Sequence, residues 1–185
     1  MNIPKNRLAL IAGGVIVAAA LAVVLVMKPG ADKLGMPGGA GGGKEGNMMV
    51  IETEYGTVEV ELYPTDAPKT VARISELVKK GFYNGLSFHR VVPGFVVQGG
   101  DPRGDGTGGS GQNLVAEFNS RQHVEGTLAM ARAMDPNSAD SQFYISLGRH
   151  PHLDNNYTVF GQVTKGIEAV KQIKIGDKMK KVELR

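Results

Sequence analysis

The chain of 185 residues contains no cysteine and no tryptophan. Without cysteine there is no disulfide framework, no thiolate nucleophile and no lipid-modified cysteine of the bacterial lipoprotein kind. A protein without thiols also cannot mispair in an oxidising compartment, so the absence is compatible with export. Serine hydrolase chemistry lacks support as well, because no G-x-S-x-G occurs. An excess of charge is missing from most of the chain. Residues 1–46 hold five basic side chains (Lys5, Arg7, Lys28, Lys33, Lys44) against Asp32 and Glu45. The other residues are left with 16 basic and 16 acidic groups. The net charge of +3 therefore belongs to the leader. A neutral body lacks the basic footprint of a nucleic-acid binder, and no nucleic-acid partner is expected.

What is present first is a run of 20 residues without charge, 8–27, LALIAGGVIVAAALAVVLVM. As a helix rising about 1.5 Å per residue it would reach roughly 30 Å, the thickness of a bilayer hydrocarbon core. It shows no polar stripe of the kind a soluble amphipathic helix carries. Lys5, Arg7 and the terminal amine precede it, so the positive-inside rule keeps residues 1–7 in the cytoplasm and sends the rest across. Ala20-Leu21-Ala22 offers the competing reading, a signal peptide cleaved to release a secreted protein. The apolar run continues past that point through Val26, which favours a retained anchor. Residues 28–46 follow as a flexible linker, with eight glycines in 30–46 and no periodic apolar pattern. The folded body is expected over 47–185.

Residues 49–62 alternate apolar and polar side chains about Glu54-Tyr55-Gly56-Thr57, a β-hairpin pattern. Thr65 or Asp66 is placed to cap a helix with Pro68 in its first turn. Val71, Ile74, Leu77 and Val78 form its apolar face, and Gly81 ends it. Short strands are predicted over 87–92, 95–98, 127–132, 142–146 and 158–163, a second helix over 166–175 and a last strand over 180–185. Eight strands and two helices predict a mainly β fold, a closed antiparallel barrel with its ends covered by the helices.

Several motifs point nowhere by themselves. Gly104-Asp105-Gly106-Thr107-Gly108-Gly109 matches a phosphate-binding glycine pattern, but no helix is predicted to begin there. Asp101, Arg103 and Asp105 resemble a calcium loop with arginine in a ligand position, so a turn-rich loop is the better account. His150-Pro151-His152 supplies two histidines and no third ligand, and is read as surface. No metal and no cofactor is expected. Arg90, beside Phe88, Val91 and Val92, reads by pattern as a solvated residue on the outer face of a barrel strand.

The run Phe88-His89-Arg90-Val91-Val92-Pro93-Gly94-Phe95-Val96-Val97-Gln98-Gly99-Gly100-Asp101-Pro102 resembles the cyclophilin signature. In the family's order follow Asp105–Gly109, Gly126–Arg132, Ser141–Ile145, Leu153-Asp154 and Tyr157–Gly161, with Tyr55-Gly56 and Pro68–Val71 upstream. The resemblance covers about 48–185 and implies a peptidyl-prolyl cis-trans isomerase of the bacterial branch, with a cyclophilin-like barrel. It implies that Arg90 is the catalytic cation and that Phe95, Val96, Tyr144 and Leu153 line a proline pocket. Gln98 and the backbone of Arg132 would bond the substrate's peptide groups. Gly106, Ala131, Ala133 and Gln142 would border the groove for residues before the proline. Phe88 and His89 would position and pack. Two departures stand out: His152 where many eukaryotic members have tryptophan, and Tyr157, also assigned to the substrate site, where they have histidine.

The partners implied are proline-containing polypeptides and, through 8–27, a membrane. The expected product is a monomer on the outer side of the cytoplasmic membrane, isomerising X–Pro bonds in exported proteins without a covalent intermediate. A holdase using the same groove for binding alone is the alternative.

Overall fold

The computed structural model describes residues 46–185. The expected cytoplasmic segment, the apolar run and nearly all of the linker lie outside the described residues. Among the described residues no helix is long and apolar enough to cross a membrane.

Eight strands form one antiparallel sheet: β1 Met48–Thr53, β2 Gly56–Leu62, β3 Arg90–Val92, β4 Val96–Gly99, β5 Thr127–Met130, β6 Phe143–Ser146, β7 Val159–Lys165 and β8 Lys181–Leu184. Their order across the sheet is β3-β4-β6-β5-β7-β2-β1-β8. The hairpin of β1 and β2 forms as the alternation predicts. Thr53 pairs with Gly56 across Glu54-Tyr55, and the inward residues Met49, Ile51, Val58 and Val60 are buried.

The expected closed barrel is corrected to a half-barrel. No ladder joins edge strand β3 to edge strand β8. The edges approach through irregular segments, with a single bridge between Ser87 and Lys178. Backbone bonds from Phe88 to the Asp177 carbonyl and from Met179 to the Leu86 carbonyl support it. The predicted strand over 87–92 shortens for this reason: Ser87 and Phe88 pair toward 176–178, and only 90–92 pairs with β4.

Helix α1, Pro68–Lys79, buries Thr70, Val71, Ile74, Leu77 and Val78 against the sheet. Its expected cap is corrected. Ala67 occupies the cap position and makes no side-chain cap bond. The carboxylate of Glu117, 47 and 48 residues away, accepts the amides of Lys69 at 3.0 Å and Thr70 at 2.8 Å. Helix N-termini leave such donors unpaired and favour a negative charge there. Asp66 is engaged by Arg121 at 2.8 Å instead. The second helix is also shorter than predicted: α2 spans Ile167–Val170, and turns carry the chain on to β8.

The main core lies inside the curved sheet. Val97, Leu128, Met130, Phe143, Ile145 and Phe160 meet the apolar faces of both helices there. A second, smaller cluster of Val96, Ala129, Ala131, Tyr144, Leu153 and Val159 lies on the other face of the same strands. Successive side chains of a strand point to opposite faces, so neighbours in sequence such as Val96 and Val97 divide between the clusters.

Candidate active site

The site is a row across the outer face of the sheet. Arg90 of β3 pairs with Gln98 of β4, Gln98 with Tyr144 of β6, Tyr144 with Ala129 of β5, and Ala129 with Val159 of β7. Paired residues on one face lie close enough for their side chains to meet. The row thus runs from a cation through an amide and a phenol to aliphatic groups.

Hydrogen bonds fix the polar half. Arg90 Nη1 donates to Gln98 Oε1 at 3.4 Å, Gln98 Nε2 to Gln142 Oε1 at 3.0 Å, and Gln142 Nε2 to the carbonyls of Gly106 at 3.0 Å and Gly108 at 2.8 Å. Each amide receives on its oxygen and gives from its nitrogen, so both glutamines have a defined orientation although both are buried. Among the described residues the Arg90 side chain makes this one hydrogen bond, which leaves most of its five N–H groups for a ligand. Its guanidinium also lies 5.9 Å from the centre of the Phe95 ring.

Two depressions flank this chain of amides. A small apolar one of about 190 Å³, open rim included, is lined by Arg90, Phe95, Val96, Tyr144, Leu153 and Tyr157. A larger one of about 590 Å³, on the same measure, has Gly106, Ala131, Arg132, Ala133 and Gln142 in its wall. Every residue assigned to the catalytic and substrate-binding set therefore lines one depression or the other, except Gln98, which is hydrogen-bonded to Arg90 on one side and Gln142 on the other. Arg90 does stand on the outer face, as its pattern suggests, but half-buried against the pocket and not in open solvent.

The loop that forms one wall of the larger depression is built around Asp101. Its carboxylate is 1 % exposed and accepts the amides of Arg103, Asp105 and Gly106 at 2.8, 3.1 and 2.6 Å. Burial works against that charge. The backbone donors outweigh it and hold the carboxyl below its usual range. The calcium-like spacing thus folds a turn-rich loop onto its own first aspartate. The turn out of β4 requires glycine: Gly100 has φ +86°, and a Cβ there would run into the Ser141 carbonyl oxygen.

The reading of His150 and His152 as surface residues is corrected in part. His150 is buried, with Nε2 2.9 Å from the Phe95 carbonyl oxygen. His152 is exposed and stacks on the Phe95 ring at 5.9 Å and 16°. Together they brace the pocket residue from behind and beside. Phe88 belongs to the main core. His89 is half-buried below Gly106, and both its ring nitrogens are buried without a hydrogen-bond partner among the described residues.

Sequence reasoning missed a group behind the pocket. His123 is fully buried, with Nε2 2.9 Å from the Tyr144 hydroxyl and Nδ1 3.2 Å from Asp154. Arg149 pairs with the same carboxylate. Burial opposes the charge of Asp154, but hydrogen bonds from Arg149 and from the backbone and ring of His123 hold its pKa down to about 2. These partners lie 21 and 31 residues apart, and no local periodicity signals them.

Comparison with known proteins bears on this geometry. The profile of the family described as cyclophilin type peptidyl-prolyl cis-trans isomerase/CLD matches residues 48–184. The chain belongs to the cyclophilin-type isomerase family. It is 44 % identical over 139 residues to a peptidyl-prolyl cis-trans isomerase of Synechococcus elongatus, covering 74 % of this chain and 95 % of that protein. It is 49 % identical over 129 residues to peptidyl-prolyl cis-trans isomerase B of Bacillus subtilis, covering 69 % and 90 %. Among solved structures, a cyclophilin-type isomerase of Cryptosporidium parvum, crystallised in the presence of the dipeptide Ala-Pro, superposes with a TM-score of 0.70 at 29 % identity. That superposition covers 75 % of this chain and 98 % of that one. As a member of this family the chain is a peptidyl-prolyl cis-trans isomerase. These relatives lend nothing to the holdase alternative.

Proposed function

We propose that this cyclophilin isomerises X–Pro bonds in flexible segments of exported proteins, non-covalently, while held at the outer side of the cytoplasmic membrane by residues 8–27. The observation that carries the chemical part is the placement of one arginine at the rim of a small apolar pocket. Amide resonance puts a barrier of roughly 18–20 kcal/mol on rotation. An unaided X–Pro bond takes tens to hundreds of seconds to cross it. Rotation destroys the resonance and returns a lone pair to the imide nitrogen. Phe95, Val96, Tyr144, Leu153 and Tyr157 would seat the proline ring, and Arg90 would donate to that nitrogen as the lone pair forms. A donor used only in the transition state lowers the barrier without tightening the ground state.

Gln98 and the backbone of Arg132 would hold the peptide groups on either side, and the depression at Gly106, Ala131, Ala133 and Gln142 would take the residues before proline. No step in this route calls for a nucleophile, a proton relay, a metal or a cofactor. Crystallisation of the Cryptosporidium relative in the presence of the dipeptide Ala-Pro supports a proline-containing ligand for this chain. The location is supported by the uncharged 20-residue run and the basic residues before it.

Two experiments test this. The cis–trans exchange rate of an X–Ala–Pro–X peptide is measured by NMR with the detergent-purified chain and with Arg90→Ala. Acceleration by the first and near-loss in the second is expected, and equal acceleration by both would remove Arg90 from the mechanism. Protease digestion of spheroplasts should cut the isomerase domain without lysis; protection until lysis would overturn the location.

A further inference from the structure

Tyr144 presents its ring to the pocket, yet it carries a hydroxyl that a proline ring has no use for. That hydroxyl belongs to a residue 3 % exposed. Its partner is His123 Nε2 at 2.9 Å. The other ring nitrogen, Nδ1, is 3.2 Å from Asp154 Oδ1, and the same oxygen accepts the backbone amide of His123 at 2.8 Å. Arg149 donates to both oxygens of Asp154 and, at 3.3 Å, to the His123 carbonyl. An ionised carboxylate only accepts, so Nδ1 must carry the hydrogen. In a neutral imidazole Nε2 is then the bare acceptor, and the Tyr144 hydroxyl is the donor. Donor and acceptor roles are thereby settled along the whole chain from Arg149 to the pocket wall.

The rings reinforce this. His123 lies nearly parallel to Tyr144, 6.0 Å away at 20°, and edge-on to Tyr157 at 6.3 Å. Tyr144 and Tyr157 meet edge to face at 5.9 Å. Both tyrosines line the pocket, and His123 touches both from behind.

We propose that His123 is a positioning residue for isomerisation, holding Tyr144 through its hydroxyl as a fixed back wall for the proline ring, with Asp154 selecting the tautomer that allows it. The inference rests on the isomerase reading of the pocket and adds a residue that touches no substrate. A wall held at one orientation matters because the pocket must grip the ring while the far side of the bond turns. The groups that face His123 are Tyr144, Tyr157, Asp154, Arg149 and His150. Burial lowers the pKa of His123 against the opposing pull of Asp154, which keeps the ring neutral near pH 7. In acid, protonation would make Nε2 a donor as well. The Tyr144 hydrogen would then have to turn away from the ring, and the wall would lose its fixed partner. The consequence is a rise in KM on the acid side, as pH falls through the folded-state pKa of His123, which burial holds below the ordinary imidazole value.

The experiment has two arms on the full chain in detergent. In the first, 15N-labelled histidine reports the His123 tautomer in the unmodified protein. A neutral ring protonated on Nδ1 at pH 7 is expected; protonation on Nε2, or an imidazolium, would overturn the proposal. In the second, kcat and KM on an X–Ala–Pro–X peptide are measured for His123→Phe in the natural background and in Tyr144→Phe. A rise in KM of about fivefold is expected in the natural background, shrinking to less than about twofold in Tyr144→Phe, where the hydroxyl is already gone. The acid-side rise in KM should vanish in Tyr144→Phe. Equal losses in both backgrounds would show that His123 acts on folding alone and would sink the idea. Should His123→Phe not fold, the tautomer and the pH profile of Tyr144→Phe decide. An inactive unmodified chain would count against the isomerase reading itself and leave the tautomer arm to be judged separately.

Discussion

Strands β4, β6, β5 and β7 have two buried faces, and the two are built on different rules. On the inner face Val97, Phe143, Ile145, Leu128, Met130 and Phe160 present hydrocarbon and rings with no hydrogen-bonding groups. What matters there is volume, shape and removal from water. On the outer face Arg90, Gln98, Tyr144, Ala129 and Val159 follow one another across the sheet, and Ala131 and Leu153 pack with the last three. Each polar atom there needs a partner at the right angle, because a buried donor or acceptor left alone is costly. The inner face should therefore govern stability and the outer face turnover.

Substitutions on neighbouring residues can break that separation. Phe143→Ala on the inner face should cost about 3–5 kcal/mol in urea unfolding, while the folded fraction keeps its kcat/KM within about threefold; a selective loss of turnover would show that the two faces are not independent. Arg90→Ala on the outer face should lower kcat/KM by about 10²- to 10³-fold. Its unfolding midpoint should stay nearly unchanged, and a large fall would mean that the arginine is a structural residue. Glu117→Ala belongs to neither face. Removing the α1 cap should cost about 1 kcal/mol by urea unfolding and leave kcat/KM alone, so a loss of activity there would extend the site to the helix.

The smallest effect concerns pH. The folded-state pKa of His123 lies below its unfolded value through burial. The unfolded chain therefore binds more protons as pH falls below about 6.5, and stability declines from there through the folded pKa. Asp154, depressed to about 2, adds a second decline that begins near pH 4 and completes as pH falls through about 2. Urea midpoints across this range should fall with acid, and His123→Phe should flatten the upper part. A midpoint that rose with acid would reverse the assignment of the neutral ring.

Much of the architecture is legible in the chain. The β1–β2 hairpin and α1 are set by alternation and by three-and-four spacing, signals carried within a few residues. The expected second helix overruns the real one because Ile167–Val170 is followed by turns that an apolar pattern tolerates equally well. Closure of the barrel is overestimated because the edges meet at Ser87 and Lys178, where no strand pattern distinguishes a ladder from a lone bridge. For the site, periodicity leaves Arg90 as an outward residue. The family signature supplies its companions, while His123, the role of Asp154 and Glu117 escape both.

Amino-acid order alone is enough for the hairpin, the first helix, the apolar residues of the inner face and, through the signature, the identities of the pocket residues. Folding in three dimensions was needed to set Arg90, Gln98, Tyr144, Ala129 and Val159 in one row, to bring Glu117 to a helix end 47 residues away, and to carry Asp154 across 31 residues to His123. The difference is one of reach. Helix and hairpin patterns act between residues at most a few positions apart, whereas strand register and buried polar partners exist only after the chain has closed loops tens of residues long.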